Sequence, residues 1–167
     1  MLGLRLTRLI EKHSEELALG LANKLRQGER TTDFRRIESE ELQGAAAEIY
    51  RNVGEWLLQK TEDDIQERFR EIGARRAAEG IGLHQFVWAL VTSRNHLWEF
   101  LQRESCVDNV VELFGELELH QMLNQFYDRA IYYGIMGYGE AKGRQGNKKK
   151  ILSEVRPGGT NWPYHFA

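Results

Sequence analysis

Apolar residues recur every three or four positions along most of this chain, which is the spacing of one face of an α-helix. The clearest apolar stripe consists of Leu83, Phe86, Val87, Leu90, Val91, Leu97, Trp98 and Leu101. The predicted helices cover about 4–26, 39–57, 61–79, 83–101 and 109–141, the last with a kink or break near Gly115. Before position 150 no segment alternates with the period of two that marks a β-strand. The pattern predicts an all-α fold, either a five-helix bundle or a globin-like helical stack, with an extended C-terminal tail.

Local signals mark several helix ends. Gly28 and Gly80 are expected to end the first and third helices, because glycine tolerates the backbone of a helix terminus. Ser39 and Thr61 each precede acidic residues, so we expect both to be N-caps. The only two prolines lie in the last eleven residues, which leaves no proline to interrupt a helix over 1–156.

The C-terminal stretch differs in composition from the rest of the chain. Residues 143–167 are punctuated by glycine and proline and carry a net charge of +4, whereas residues 1–142 carry −6. We therefore predict a helical domain over 1–142 and a basic, aromatic-ended extension over 143–167. The aromatic residues Trp162, Tyr164 and Phe166 predict that this tail docks, either on its own bundle or on a partner.

Composition also limits the cellular compartment and the classes of binding partner that we expect. Cys106 is the only cysteine, so an internal disulfide is impossible and a reducing compartment is indicated. No apolar run approaches the roughly 20 residues that span a bilayer, and the N-terminus is too charged after Ile10 for a secretory signal. We expect a cytoplasmic protein without membrane insertion. The net charge of −2 and a single run of three lysines also argue against nucleic acid as a partner.

No residue pattern is typical of catalysis, so we predict that the protein is not an enzyme and needs no metal or cofactor. Gly134, Gly137 and Gly139 follow no strand and are therefore not a dinucleotide-binding fingerprint. The five histidines are never three or four positions apart, the spacing of paired ligands on one helix. His84 and His13, on or beside apolar stripes, are the candidates if a haem or ligand pocket exists.

Some charged and aromatic residues have no simple core role. Arg76 and Arg94 fall on apolar stripes, which favours buried ion pairs or, for Arg94, a cation–π contact with Trp98. The alternative is an anion site at the glycine-rich turn 80–82, where a helix begins. Other aromatic and aliphatic side chains lie off the stripes, which suggests self-association through the fourth and fifth helices. The candidate partner-binding residues are Arg76, Trp88, Arg94, Phe100, Tyr132, Ile135, Trp162, Tyr164 and Phe166.

Four segments together resemble the RsbRD N-terminal domain family, the RsbT co-antagonist or stressosome-type sensory domains, over about residues 5–140. The segments are LIEKHSEELALGLANKL, SEEL, RRAAEGIGLHQFVWALVTSRNHLWEFL and AIYYGIMGYGEA. The third contains an arginine-x-x-x-glycine-hydrophobic-x-leucine pattern at Arg76, Gly80, Ile81 and Leu83.

The resemblance implies an all-helical bacterial sensory or scaffold domain, related to globin-like sensors that carry no haem and often dimerise. Such domains usually precede a kinase or phosphoacceptor domain, and nothing of that size follows residue 141, so we expect no phosphoacceptor function here. The family supplies no catalytic residue. We predict a stand-alone signalling or adaptor module that acts by protein–protein interaction. The alternatives are a ligand- or haem-binding sensor and an accessory subunit of a larger complex.

Overall fold

The helical spacing of the sequence is realised throughout the computed structural model, which describes residues 2–104 and 107–154. Its helices are α1 (Leu2–Lys12), α2 (Ser14–Gln27), α3 (Ser39–Arg51), α4 (Val53–Leu58), α5 (Glu62–Ala78), α6 (Leu83–Glu104) and α7 (Val110–Glu154), with a short 3-10 segment (Glu29–Arg36) after α2. No strand occurs in these ranges. The all-α prediction is confirmed, although there are eight helical elements where five were predicted.

Two of the predicted helices are divided by a kink. His13 (φ −99°, ψ 16°) separates α1 from α2, and Asn52 (φ −111°, ψ 19°) separates α3 from α4. The His13 amide still donates to the Leu9 carbonyl oxygen at 3.1 Å, so the hydrogen-bond pattern continues across the first kink. The apolar spacing continues as well, which is why periodicity did not reveal either kink.

The fifth predicted helix is longer than expected and unbroken. α7 passes through Gly115 without interruption and continues beyond position 142 to Glu154. The predicted kink, and the predicted end of helix at the start of the basic extension, are therefore wrong. The side chains from 142 to 154 are all exposed, so this part of α7 is helical without an apolar stripe to signal it.

The predicted helix ends are partly confirmed. Thr61 and Asp64 form a capping box at the start of α5, with the Asp64 amide donating to Thr61 Oγ1 at 3.3 Å. Gly80 follows α5 with φ +76°, and the Ile81 amide returns to the Arg76 carbonyl, as in a glycine-terminated helix. The Ser39 prediction is wrong: the cap position of α3 is Glu38, and no side chain caps it.

The closest approach between two helices is that of α5 and α7, and glycine makes it sterically feasible. A Cβ added to Gly73 would lie 2.0 Å from the Gly134 carbonyl oxygen, and one added to Gly137 would lie 2.0 Å from the Arg70 carbonyl oxygen. Both distances are far inside van der Waals contact, so the two backbones touch without intervening side chains. The two helices run in the same direction, since Glu62 pairs with Arg129 near one end and Arg70 with Glu140 near the other.

The remaining helices pack around this pair. α6 lies against α7 in the opposite direction, because Phe86 stacks on Tyr138 whereas Trp98 contacts His120. α1, α2 and α3 close the core from the other side through a continuous apolar cluster. The largest fully buried side chains in it are Tyr50, Tyr127, Phe34, Phe69, Phe86, Leu6, Ile10, Ile81, Leu97, Leu101, Leu119 and Leu123.

We predict that Gly73→Ala destabilises the fold by about 3 kcal/mol or more, because its methyl group meets backbone, which cannot rotate away. Gly44→Ala is the matched control. A Cβ there meets nothing within 4 Å, so the same change should stabilise α3 by up to about 1 kcal/mol. Urea unfolding of both variants measures the difference. Equal effects at the two positions would contradict the steric role of Gly73.

Candidate functional site

The turn between α5 and α6, where an anion site was considered, is closed by the chain's own side chains. Asp33 accepts the Gly82 amide at 2.9 Å through its carboxylate, and Gln85 accepts the Asp33 amide at 2.7 Å. Arg36 donates to the Gly80 carbonyl oxygen at 3.3 Å. The position at which an external anion was considered is therefore occupied by the Asp33 carboxylate, and that alternative is wrong.

Arg76 has the structural role that its place on an apolar stripe predicts. It is 6% exposed, its Nη1 donates to Glu79 Oε2 at 2.6 Å, and its guanidinium lies over the Phe34 ring at 5.9 Å. A buried arginine without such a partner would be strongly destabilising. Arg76 therefore fixes the end of α5 against the 3-10 segment and is not available as a surface contact.

Arg94 and Trp88 lie in different environments. Arg94 is half-buried in an open polar groove between α6 and α7, together with Asp128. The proposed stacking of Arg94 on Trp98 is not seen among the described residues, in which the Trp98 ring instead packs against a histidine. Trp88 is 38% exposed and carries the Arg30 guanidinium over its ring at 4.7 Å.

Phe100 lies in the core, whereas the candidate histidines His13 and His84 are at least partly exposed. Phe100 is 6% exposed, which corrects the expectation that it lies outside the core, and its ring faces that of His13 at 5.6 Å. His13 Nδ1 lies 3.4 Å from Glu16 Oε2 at the surface, and His84 is exposed in the first turn of α6. Neither histidine lines a described cavity. The tail aromatics Trp162, Tyr164 and Phe166 lie outside the described residues.

A buried chain of hydroxyl groups joins three helices. Tyr50 of α3 donates to the Ser93 carbonyl oxygen at 3.0 Å and contacts Ser93 Oγ at 3.0 Å, and Ser93 Oγ lies 2.7 Å from the Tyr127 hydroxyl of α7. Burial raises the pKa of both tyrosines, so both remain neutral hydrogen-bonding groups at physiological pH. Ser93 of α6 is the central member, which couples the position of α7 to that of α3.

His96 is a buried ionisable group with one unsatisfied nitrogen. Its Nε2 lies 2.9 Å from the Leu17 carbonyl oxygen, so Nε2 carries the proton and donates, while Nδ1 has no partner among the described residues. A Cβ at Gly20 would lie 3.0 Å from the ring, which shows how closely α2 approaches. Burial lowers the pKa of His96, and the nearby Lys24 lowers it further.

An apolar cavity of about 90 Å³ lies between α2, α3, α5 and α6. Leu42, Ile49, Phe69 and Leu90 are among its apolar lining residues. Its polar lining residues are Ser93, Arg68, Glu71, Arg75 and Arg76. Its volume is below the ~150 Å³ of an apolar cavity that accepts benzene. The cavity matches a ligand of a few non-hydrogen atoms.

The described surface carries an apolar region on the first turns of α7. Val110, Val111, Phe114 and Leu117 are 64%, 80%, 66% and 53% exposed. These residues face away from the bundle, whereas the inner face of α7 is buried from Leu119 to Tyr138. We call the face that carries Val110, Phe114 and Leu117 and continues through Tyr132 and Ile135 the outer face of α7.

The sequence analysis found only the second half of this face. Tyr132 and Ile135 were candidates and are 62% and 40% exposed, whereas Phe114 and Leu117 were not among the candidates. The signal that was missed is a change, along α7, in the side of the helix that carries the apolar residues. At 100° per residue, the positions that continue the buried stripe backwards from Leu119 are Glu112 and Glu116, which are acidic, so the apolar residues must face outward.

Comparison with known families decides the identity of the domain. A family model for the RsbT co-antagonist protein rsbRD N-terminal domain matches residues 15–148. The chain belongs to this family. The match confirms the resemblance found in the sequence and extends it along α7 to position 148, past the predicted boundary at 142. No curated protein and no solved structure matches the chain.

Membership of the rsbRD N-terminal domain family identifies a stressosome-type signalling domain, a regulatory class of protein. Within the described ranges no helix has the length and apolarity needed to cross a membrane. In the same ranges no group of three or more histidine, cysteine, aspartate or glutamate side chains could hold a metal ion.

We predict that Ser93→Ala costs about 1–3 kcal/mol of folding stability, because the buried Tyr127 hydroxyl loses its 2.7 Å contact with Ser93 Oγ. Tyr127→Phe should cost less, since Ser93 Oγ still has the Tyr50 hydroxyl within 3.0 Å. Chemical unfolding of the two variants tests the order. A larger loss for Tyr127→Phe would show that Ser93 is not the central member.

His96 should make stability fall with acidity. Because folding lowers its pKa below the ordinary ~6.5, the unfolded chain takes up the proton first, so stability is complete above that pH and declines as the pH falls below it. His96→Gln removes the titrating group, and its unfolding free energy should fall less than that of the wild type between about pH 7.5 and 5.5. Parallel pH profiles would contradict this prediction.

Proposed function

We propose that this domain acts in signalling by protein–protein contact and that the outer face of α7 is its contact surface. The supporting observation is the exposure of Val110, Phe114 and Leu117 at the start of a helix whose opposite side is buried from Leu119 to Tyr138. Contiguous apolar surface of this kind is typical of interaction sites in soluble proteins. No catalytic role is part of the proposal.

The contacts of α7 suggest how an input could reach this surface. Tyr138 donates to the Ile81 carbonyl oxygen at 2.6 Å, which connects α7 to the turn between α5 and α6. Phe86, in the first turns of α6, stacks on Tyr138 and would meet a Cβ at Gly134 at 2.9 Å. A change at the turn therefore acts directly on α7, and one continuous helix carries the displacement to its outer face.

Sensing of a small ligand is the second candidate function, and the cavity between α2, α3, α5 and α6 supports it. Phe69 and Ser93 line the cavity and also contact Phe126 and Tyr127 of α7. A small neutral apolar molecule bound there would press on the same helix. This function and the first one are compatible, because the cavity would supply the input and the outer face the output.

A photo-crosslinking amino acid at position 114 tests the proposed function. In cells that express the full chain, a probe replacing Phe114 should give an adduct heavier than the 19.4 kDa chain, whatever the partner. The matched control is a probe replacing Leu58, which is 59% exposed on α4, far from α7 in the sequence. Equal yields at the two positions, or no adduct at position 114, would contradict the proposal.

A further inference from the structure

The C-terminal end of α7 carries a cluster of basic side chains that the bundle does not neutralise. Residues 141–150 contain five basic and no acidic residues, and every side chain over 142–154 is exposed. Within the part of the chain that the structure describes, the side chains of Lys148, Lys149 and Lys150 have no hydrogen bond or ion pair. These three ammonium groups are therefore free to meet an external partner.

The arrangement of the cluster on the helix favours an anionic partner. Arg144 and Lys148 are four positions apart, the spacing at which like charges destabilise a helix. Arg144 has the Glu140 Oε2 carboxylate oxygen at 3.8 Å, but Glu140 is also bound by Arg70. The repulsion is therefore only partly relieved within the chain, and an external negative surface would relieve it further.

Exposed aliphatic side chains lie on the same side of the helix as part of this charge. At 100° per residue, Arg144, Lys148, Ile151 and Leu152 fall within an arc of about 100°. Ile151 is 59% exposed and Leu152 is 70% exposed. Basic residues beside aliphatic ones are typical of helices that lie on an anionic bilayer. A nucleic acid backbone would use the charges but would leave the aliphatic pair in water. We call residues 144–152 the basic end of α7.

The distribution of charge along the chain gives such a contact a direction. Residues 108–118, at the opposite end of α7, contain four acidic and no basic residues. They lie about 45 Å from the basic end, at 1.5 Å of helix rise per residue. Residues 1–142 carry −6 in total, whereas residues 143–167 carry +4. An anionic surface therefore attracts the basic end and repels the rest of the chain.

We infer that the basic end of α7 binds the surface of a bilayer that contains anionic phospholipids. Its lysine and arginine side chains contact the lipid headgroups, and Ile151 and Leu152 enter the interface below them. This contact is peripheral and needs no helix that spans the bilayer. The sequence after position 154 adds Arg156, Trp162 and Tyr164, residue types that also favour this interface. The inference goes beyond the proposed function, because it locates the domain and leaves the outer face of α7 accessible.

Flotation of the purified full chain with lipid vesicles tests this contact. The chain should float with phosphatidylcholine vesicles that contain about one-third phosphatidylglycerol and should not float with phosphatidylcholine alone. The variant K148Q/K149Q/K150Q should weaken vesicle binding about tenfold or more, because each basic side chain near the surface contributes. The matched control R5Q/R8Q/K12Q removes three exposed charges from α1 and should bind like the wild type.

Substitution of the aliphatic pair separates a bilayer from other polyanions. I151S/L152S should weaken vesicle binding about threefold or more, because two aliphatic side chains no longer leave water. The control L19S/L58S changes exposed leucines on α2 and α4 and should leave the affinity unchanged. A short DNA duplex and a polyglutamate peptide should both bind more weakly than the vesicles at about 0.15 M salt.

The outcomes separate this inference from its alternatives. Failure of the wild type to bind the anionic vesicles would overturn it, as would equal losses in K148Q/K149Q/K150Q and R5Q/R8Q/K12Q. An unchanged affinity of I151S/L152S, or tighter binding of the duplex or the polyglutamate, would also overturn it and assign the basic end to a soluble polyanion. A chain that binds no vesicles but still gives an adduct through the probe at position 114 would overturn only this inference and leave the proposed function standing.

Discussion

The contact of α5 with α7 through glycine is the constraint on which the rest of the structure depends. Gly73 and Gly137 let one backbone rest on the other, which only residues without a Cβ permit. This contact fixes which side of α7 is the inner face, and α6 completes it from the opposite direction. The apolar side chains that open α7 are consequently turned away from the core, so the same packing that forms the bundle also creates its exposed surface.

Polar groups inside the bundle specify how the helices meet. The Tyr50–Ser93–Tyr127 hydroxyl chain is satisfied only when α3, α6 and α7 are in register. The Arg76–Glu79 ion pair lies within the end of α5, and the Arg76 guanidinium meets the 3-10 segment at the Phe34 ring. His96 differs, because one of its nitrogens is buried without a partner in the described residues. These groups connect the turn, the cavity and α7 within one packed core.

α7 combines two roles in one element. Over its middle it is the central helix of the core, and at both ends it extends beyond the helices that cover it. The chain belongs to a family of signalling domains, and its α7 runs from the core to both exposed ends as one continuous helix.

The sequence by itself determined the all-α class, most helix positions, the Thr61 cap, the Gly80 terminus and the family, because these depend on local spacing and local backbone preferences. It predicted a buried, paired Arg76 for the same reason. It did not reveal the kinks at His13 and Asn52 or the length of α7, since hydrogen bonding along a helix needs no apolar stripe. Only the tertiary structure decided which side of α7 is covered. That choice follows from the α5–α7 backbone contact, and it leaves Phe114 exposed. Packing between other elements buries Phe100 against His13 and places the Asp33 carboxylate in the turn, and spacing along the chain encodes none of these.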